Sequence, residues 1–178
     1  PFTAELGCIT PILVVPGRWT RSDLAFQAQQ VASAVPHHAT FNCNAGKVLV
    51  VPREWSEREA FTGAVRAALA RTPPRRAYYP GAHGRYAELM RRYPRSEPLG
   101  RRGEGVVPWT LIPDVPAVED EFVLHHEPWC GVLAEVRIDG GGPRAFLERA
   151  VPFVNERVFG TLSCMLLADA ATERVPAF

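Results

Sequence analysis

KVLVVPREWSEREAFTGAVRAALA, residues 47 to 70, contains both of the periods that decide the fold. Its first six residues form a short apolar, β-branched run closed by Pro52, the pattern of a buried strand. From Ser56 onward the apolar positions recur at helical spacing, and Ser56 with Glu59 makes a candidate capping box at the helix start. The same order recurs upstream. ITPILVV (9 to 15), bounded by Gly7 and by Pro16 and Gly17, reads as a buried strand. A helix follows, with Thr20 or Ser22 as N-cap, Asp23 at its positive end, and Leu24, Ala28, Val31, Ala32 and Val35 on one face until Pro36 stops it.

Downstream, residues 71 to 105 form an excursion rich in Arg, Pro, Gly and Tyr, with one helix near residues 84 to 92. VVPWTLIPDV (106 to 115), FVLHH (122 to 126) and GVLAEVRI (131 to 138) read as strands, and PRAFLERAVPFVNE (143 to 156) as a helix. TLSCMLLAD (161 to 169) reads as a closing buried strand. Strands alternating with helices of this length predict an α/β layered domain with a mainly parallel sheet. At 178 residues, one domain over residues 1 to 178 is the expectation.

Twenty basic against 19 acidic residues leave a net charge of +1, so no global field recruits nucleic acid or an anionic membrane. The opening residues are too short an apolar run, and too broken by proline, for a signal peptide or a membrane span. The chain opens on Pro1 rather than methionine, as an internal piece of a longer protein would. Cys8, Cys43, Cys130 and Cys164 lie far apart with no C-x-x-C pair, which implies neither a zinc module nor a redox dithiol. A reduced, cytoplasmic setting is expected, and no metal.

Cys43 sits between Asn42 and Asn44 in a turn just ahead of a strand, more open to water than Cys164, which reads as core together with Cys8 and Cys130. It is the candidate nucleophile, weighed against the ordinary role of a small buried hydrophobe. A thiol needs thiolate character or a base, and Glu5, beside Leu6 and Gly7, and Glu127, in HHEPWCG next to Trp129, are the carboxylates worth placing. The acidic run at residues 119 to 121 reads as a solvated loop. Adjacent histidines on a strand point to opposite faces, so His125 and His126 do not both serve one site, nor do His37 and His38.

ELG (5 to 7), FNCNAGKVLV (41 to 50), HEPWCGVLAEV (126 to 136) and NERVFGTLS (155 to 163) resemble, in order, the catalytic-domain motifs of aldehyde dehydrogenases. The resemblance spans nearly the whole chain and implies a three-layer α/β/α catalytic domain with NAD or NADP as cofactor and a small-molecule aldehyde as substrate. On the matching positions it implies that Cys43 attacks the aldehyde carbon to give a thiohemiacetal, then a thioester, and that Glu5 activates the hydrolytic water. It implies that Glu127 binds nicotinamide ribose hydroxyls, that Trp129 takes the place of an aromatic packing beside it, and that Leu6 and Gly7 also belong to the cofactor-binding set. It also implies a homo-oligomer for the full-length protein.

There are departures. Thr40 and Phe41 stand where the family commonly has Gly-Gln, and Cys130-Gly131 where Gly-Pro is usual. No G-x-G-x-x-G turn occurs, so the pyrophosphate site and the asparagine completing the family's oxyanion hole are expected on a segment this chain lacks. The isolated chain is accordingly expected to bind cofactor weakly and turn over poorly. Retention of Glu5 favours hydrolytic oxidation over the acylating, coenzyme A-dependent branch. An inactive relative is the next alternative. A nucleic-acid surface built from the arginines interleaved with Tyr78, Tyr79, Tyr86 and Tyr93 is the remote one.

Overall fold

The computed structural model describes residues 7 to 174. In chain order the elements are β1 (Thr10–Val14), α1 (Arg21–Ala34), β2 (Gly46–Pro52), α2 (Arg58–Arg71), α3 (Ala82–Arg92), β3 (Glu97–Leu99), β4 (Trp109–Val115), α4 (Phe122–His125), β5 (Val132–Ile138), α5 (Pro143–Arg157) and β6 (Met165–Leu167). The strands form one six-stranded sheet in the order β3-β4-β5-β2-β1-β6, parallel throughout except for the antiparallel edge pair β3–β4.

The inner strands β1, β2 and β5 are almost wholly buried because both faces of the sheet are covered, and most of their residues are apolar. Val48 and Val50 of β2 pack in one core with Val132, Ala134 and Val136 of β5 and with Phe146, Ala150 and Phe153 of α5. Leu49 and Val51 point the other way, into a second core with Ala28 and Val31 of α1 and Phe61, Val65 and Leu69 of α2. Period-2 alternation thus feeds two cores instead of one core and solvent, which is why these strands read as continuous apolar runs. The result is the expected three-layer α/β/α arrangement.

One local expectation holds and three change. Thr20 does cap α1, accepting from the Asp23 amide in a reciprocal capping box. Ser56 and Glu59 form no such box, because Arg58 takes the Glu59 carboxylate at 2.7 Å and the Ser56 hydroxyl donates to Glu57. FVLHH is a one-turn helix rather than a strand: Val123 and Leu124 are buried, while the His126 ring stacks on Phe122 one turn back, at 4.1 Å between centroids. His125 and His126 therefore do not alternate across a strand: His125 ends the helical turn and His126 caps it. TLSCMLLAD gives only the short edge strand β6, whose single neighbour is β1; Leu166 is 49% exposed and Cys164 is exposed, not core. Residues 71 to 105 contribute α3 and the edge strand β3. No helix among the described residues is long and apolar enough to cross a membrane.

Candidate functional site

The parallel register brings the starts of β1, β2, β5 and β6 to the same edge of the sheet: Thr10 pairs with Gly46, Val48 with Ala134, and Ile12 with Met165. Segments scattered along the sequence therefore meet at the amino-terminal edge. Open α/β sheets usually bind ligands at the opposite, carboxyl edge, so strand periodicity alone did not locate this cluster.

Cys43 lies in the turn leading into β2 and is partly exposed. The turn is held from several sides. The Asn42 side chain accepts from the Ala45 amide at 2.8 Å and its amide nitrogen meets His37 Nδ1 at 2.8 Å, so Asn42 shapes the turn. The Thr10 hydroxyl donates to the Cys43 carbonyl at 2.6 Å and contacts the Ser163 hydroxyl at 2.8 Å, and Ser163 donates to Asn44 Oδ1 at 3.2 Å. Just upstream, His38, Ala39 and Thr40 all adopt positive φ (49°, 55° and 68°), a run that L residues with side chains avoid and that costs on the order of 1–3 kcal/mol each. The surroundings enforce it: Thr40 donates to the Cys130 carbonyl at 3.0 Å and Phe41 is buried.

Beneath the turn lies Lys47, the first residue of KVLVVP and 1% exposed. Its Nζ donates to the carbonyls of Asn42 (2.7 Å), Ala45 (3.0 Å) and Cys43 (3.2 Å) and lies 3.1 Å from Glu127 Oε1. An ammonium has three hydrogens, and three carbonyls take them. Glu127 Oε1 receives the charge but no directed hydrogen bond, which leaves it a buried acceptor with free capacity. Burial pushes the Lys47 pKa below its ordinary value, with the Glu127 carboxylate opposing that shift. The other carboxylate oxygen, Oε2, accepts from the Cys8 amide at 3.0 Å.

Gly7 makes that approach possible. At φ +142° it sits where side-chain-bearing residues are strained, and a Cβ there would lie 2.8 Å from Glu127 Oε2 and 3.2 Å from the Phe159 ring. Phe159 in turn accepts the Ile9 amide on its carbonyl, which joins the NERVFG segment to the same cluster. Trp129, also at positive φ (41°), stacks on Tyr79 at 4.9 Å, and Tyr79 stacks on Phe41 at 5.6 Å. Arg85 fixes this loop by donating to the carbonyls of Pro128 and Trp129, both at 3.1 Å. On its outer side Glu127 borders a cleft of about 410 Å³ lined also by Arg85, Phe122, His125 and His126.

Of the residues singled out from sequence, Cys43, Glu127, Trp129 and Gly7 come together; Glu5 and Leu6 lie outside the described residues. Cys130 is fully buried and its thiol is pushed up to about 12 by desolvation. Tyr86 and Tyr93 are not free stacking platforms, since their hydroxyls bond Thr110 and Glu121. Sequence reasoning passed over Thr10, Ser163 and Lys47. The last carried a signal, being the only lysine among 20 basic residues and standing at the head of an apolar strand. Among the described residues no group of three or more His, Cys, Asp and Glu side chains is arranged to hold a metal.

No protein-family model matches the chain, and no curated protein matches it. Solved structures do match. The fold is that of aldehyde dehydrogenases. An NADP-dependent glyceraldehyde-3-phosphate dehydrogenase from Bacillus halodurans, solved with NADP, superposes with a TM-score of 0.72 at 17% identity over 95% of this chain. A NAD-dependent benzaldehyde dehydrogenase from Corynebacterium glutamicum gives 0.72 at 16% over 95%, and lactaldehyde dehydrogenase from Escherichia coli gives 0.70 at 18% over 95%. The chain covers only 35%, 37% and 36% of those three proteins, about a third of the aldehyde dehydrogenase chain.

Proposed function

We propose that this chain is the nucleophile-bearing domain of an NAD(P)-dependent aldehyde dehydrogenase that oxidises a small aldehyde to a carboxylic acid. The observation that carries the reading is the convergence of Gly7-Cys8, the Cys43 turn, Glu127-Trp129 and Phe159 on one edge of the sheet, in a fold shared with structures of that activity.

A dinucleotide fits the residues present. Glu127 Oε1 is a buried carboxylate acceptor without a hydrogen, suited to a ribose hydroxyl, and Trp129, two residues on, carries an aromatic ring stacked on Tyr79. Glu127, Trp129, Gly7 and Leu6 would hold the nicotinamide riboside end, and when bound the cofactor supplies the hydride acceptor. In this reading the Cys43 thiolate adds to the aldehyde carbon and forms a carbon–sulfur bond, giving a thiohemiacetal. The Cys43 N–H donates to the new oxyanion. Loss of hydride leaves a thioester on Cys43, and water, deprotonated by Glu5, displaces the thiolate to release the acid. The pyrophosphate site and the second oxyanion donor would come from the part of the fold this chain does not cover.

The test is aldehyde-dependent reduction of NAD+ and NADP+ by the full-length protein, followed at the nicotinamide absorbance. Wild type should turn over, and Cys43→Ala should lose activity by at least about a thousandfold. An active Cys43→Ala protein would remove the nucleophile from the scheme.

A further inference from the structure

Lys47 is the sole lysine of the chain and one of its most deeply buried side chains. Its ammonium is shared between two parts of the site that lie 84 residues apart in sequence: on one side the carbonyls of Asn42, Cys43 and Ala45, on the other the Glu127 carboxylate at 3.1 Å, 43 to 127 being the interval. The geometry selects lysine. Three carbonyls from one tight turn converge on a point, which a tetrahedral ammonium satisfies and a planar guanidinium fork does not. A chain that otherwise uses arginine for every basic position departs from that habit only here.

We infer that Lys47 is a positioning residue of the proposed dehydrogenase site, clamping the Cys43 turn to Glu127 so that the nucleophile and the cofactor-binding carboxylate are held in one register. The inference rests on the reading above and adds to it a residue that touches neither substrate nor cofactor. Because its hydrogens are spent on the turn, Lys47 faces the carboxylate as a charge at 3.1 Å while leaving Oε1 open to a ligand hydroxyl. Two functions then depend on one ammonium. Removing it frees the turn that carries Cys43 and leaves Glu127 buried without its cation.

The protonation state gives a second handle. The titratable groups facing the ammonium are Glu127, Cys8 and Cys43, and burial is the dominant influence, lowering its pKa. The clamp is therefore present while Lys47 is charged and is released as pH rises through that lowered value, short of the ordinary lysine range.

The test is steady-state kinetics of the full-length protein as wild type, Lys47→Met, Lys47→Arg and Glu127→Gln, each checked for fold by circular dichroism. Lys47→Met should raise the KM for NAD(P)+ by about thirtyfold or more and lower kcat by about tenfold. Glu127→Gln should raise the same KM and lower kcat less than Lys47→Met does, since the turn keeps its three carbonyl bonds. In wild type the cofactor KM should climb on the alkaline side, before pH reaches the ordinary lysine range, and Lys47→Arg, whose guanidinium stays charged, should flatten that limb while recovering part of the KM lost in Lys47→Met. A merely structural lysine would not move the alkaline limb.

Lys47→Met with both constants within about threefold of wild type overturns the clamp, as does an alkaline limb identical in Lys47→Arg and wild type. If Lys47→Met fails to fold, the Lys47→Arg limb decides alone. A wild type without aldehyde-dependent turnover, or a Cys43→Ala variant as active as wild type, sinks the dehydrogenase reading and the clamp with it. Turnover in wild type with an indifferent Lys47 sinks the clamp only.

Discussion

Replacing Glu127 by glutamine changes almost nothing in shape and removes one charge from the interior. The carboxylate side chain is 6% exposed and its partner, Lys47, is 1% exposed, so the ammonium loses its counter-ion in a site closed to bulk solvent. Breaking a buried pair from one side costs about 3–5 kcal/mol. Three carbonyls still solvate Lys47, which puts the expected loss near the low end, about 3 kcal/mol. For a domain of this size that is a fall in Tm of roughly 6–12 °C.

The pH dependence gives a check on the cause. Folded Lys47 already titrates below its unfolded value of 10.5 because of burial, and Glu127 is the main group opposing that shift. A depressed folded pKa means that the unfolded state binds more protons in the window between the two values, so stability rises with pH there. Without Glu127 the folded pKa falls further, the window opens at lower pH, and the mutant's deficit shrinks as the ammonium discharges. Urea denaturation of both proteins near pH 7 and near pH 9.5 measures this. A deficit below about 1 kcal/mol at neutral pH, or one that grows with pH, would refute the buried-pair argument.

Other outcomes follow from the same contacts. Gly7→Ala should lower stability by about 1–3 kcal/mol in thermal melts, because the backbone is at φ +142° and the new methyl meets the Glu127 carboxylate at 2.8 Å. Phe61→Ala, which opens a hole against Trp19 and Trp55 in the core far from the turn, should cost about 3–5 kcal/mol while leaving the Cys43 alkylation rate of the folded protein unchanged. Iodoacetamide mapping should leave Cys130 unmodified up to about pH 9, since desolvation holds its thiol up near 12, whereas the partly exposed Cys43 should react. Thr10→Val should slow turnover of the full-length protein by about three- to tenfold, through loss of the bond to the Cys43 carbonyl, and an unchanged kcat would show that the turn does not need it.

The order of strands and helices was readable from residues 9 to 70 because both periods are strong and local: the apolar runs at 9 to 15 and 47 to 52, and the helical recurrence of Leu24, Ala28, Val31 and Ala32. Local signals failed where length or neighbours decided. FVLHH is too short for its periodicity to choose between strand and turn of helix, and a ring stack from Phe122 to His126 settled it. The Ser56 box lost to an arginine one residue away from its glutamate.

For the site, sequence by itself singled out Cys43, Glu127, Trp129 and Gly7 as candidates, because they stand out by type and by ordered motif. It could not determine which of them meet, because that depends on the register of parallel strands separated by up to 119 residues, as in the bond from the Cys8 amide to Glu127. Nor could it assign Lys47. A lysine at the head of a strand is ordinarily a solvated charge. Only tertiary structure closed three carbonyls and a carboxylate around it, and burial then made its charge matter.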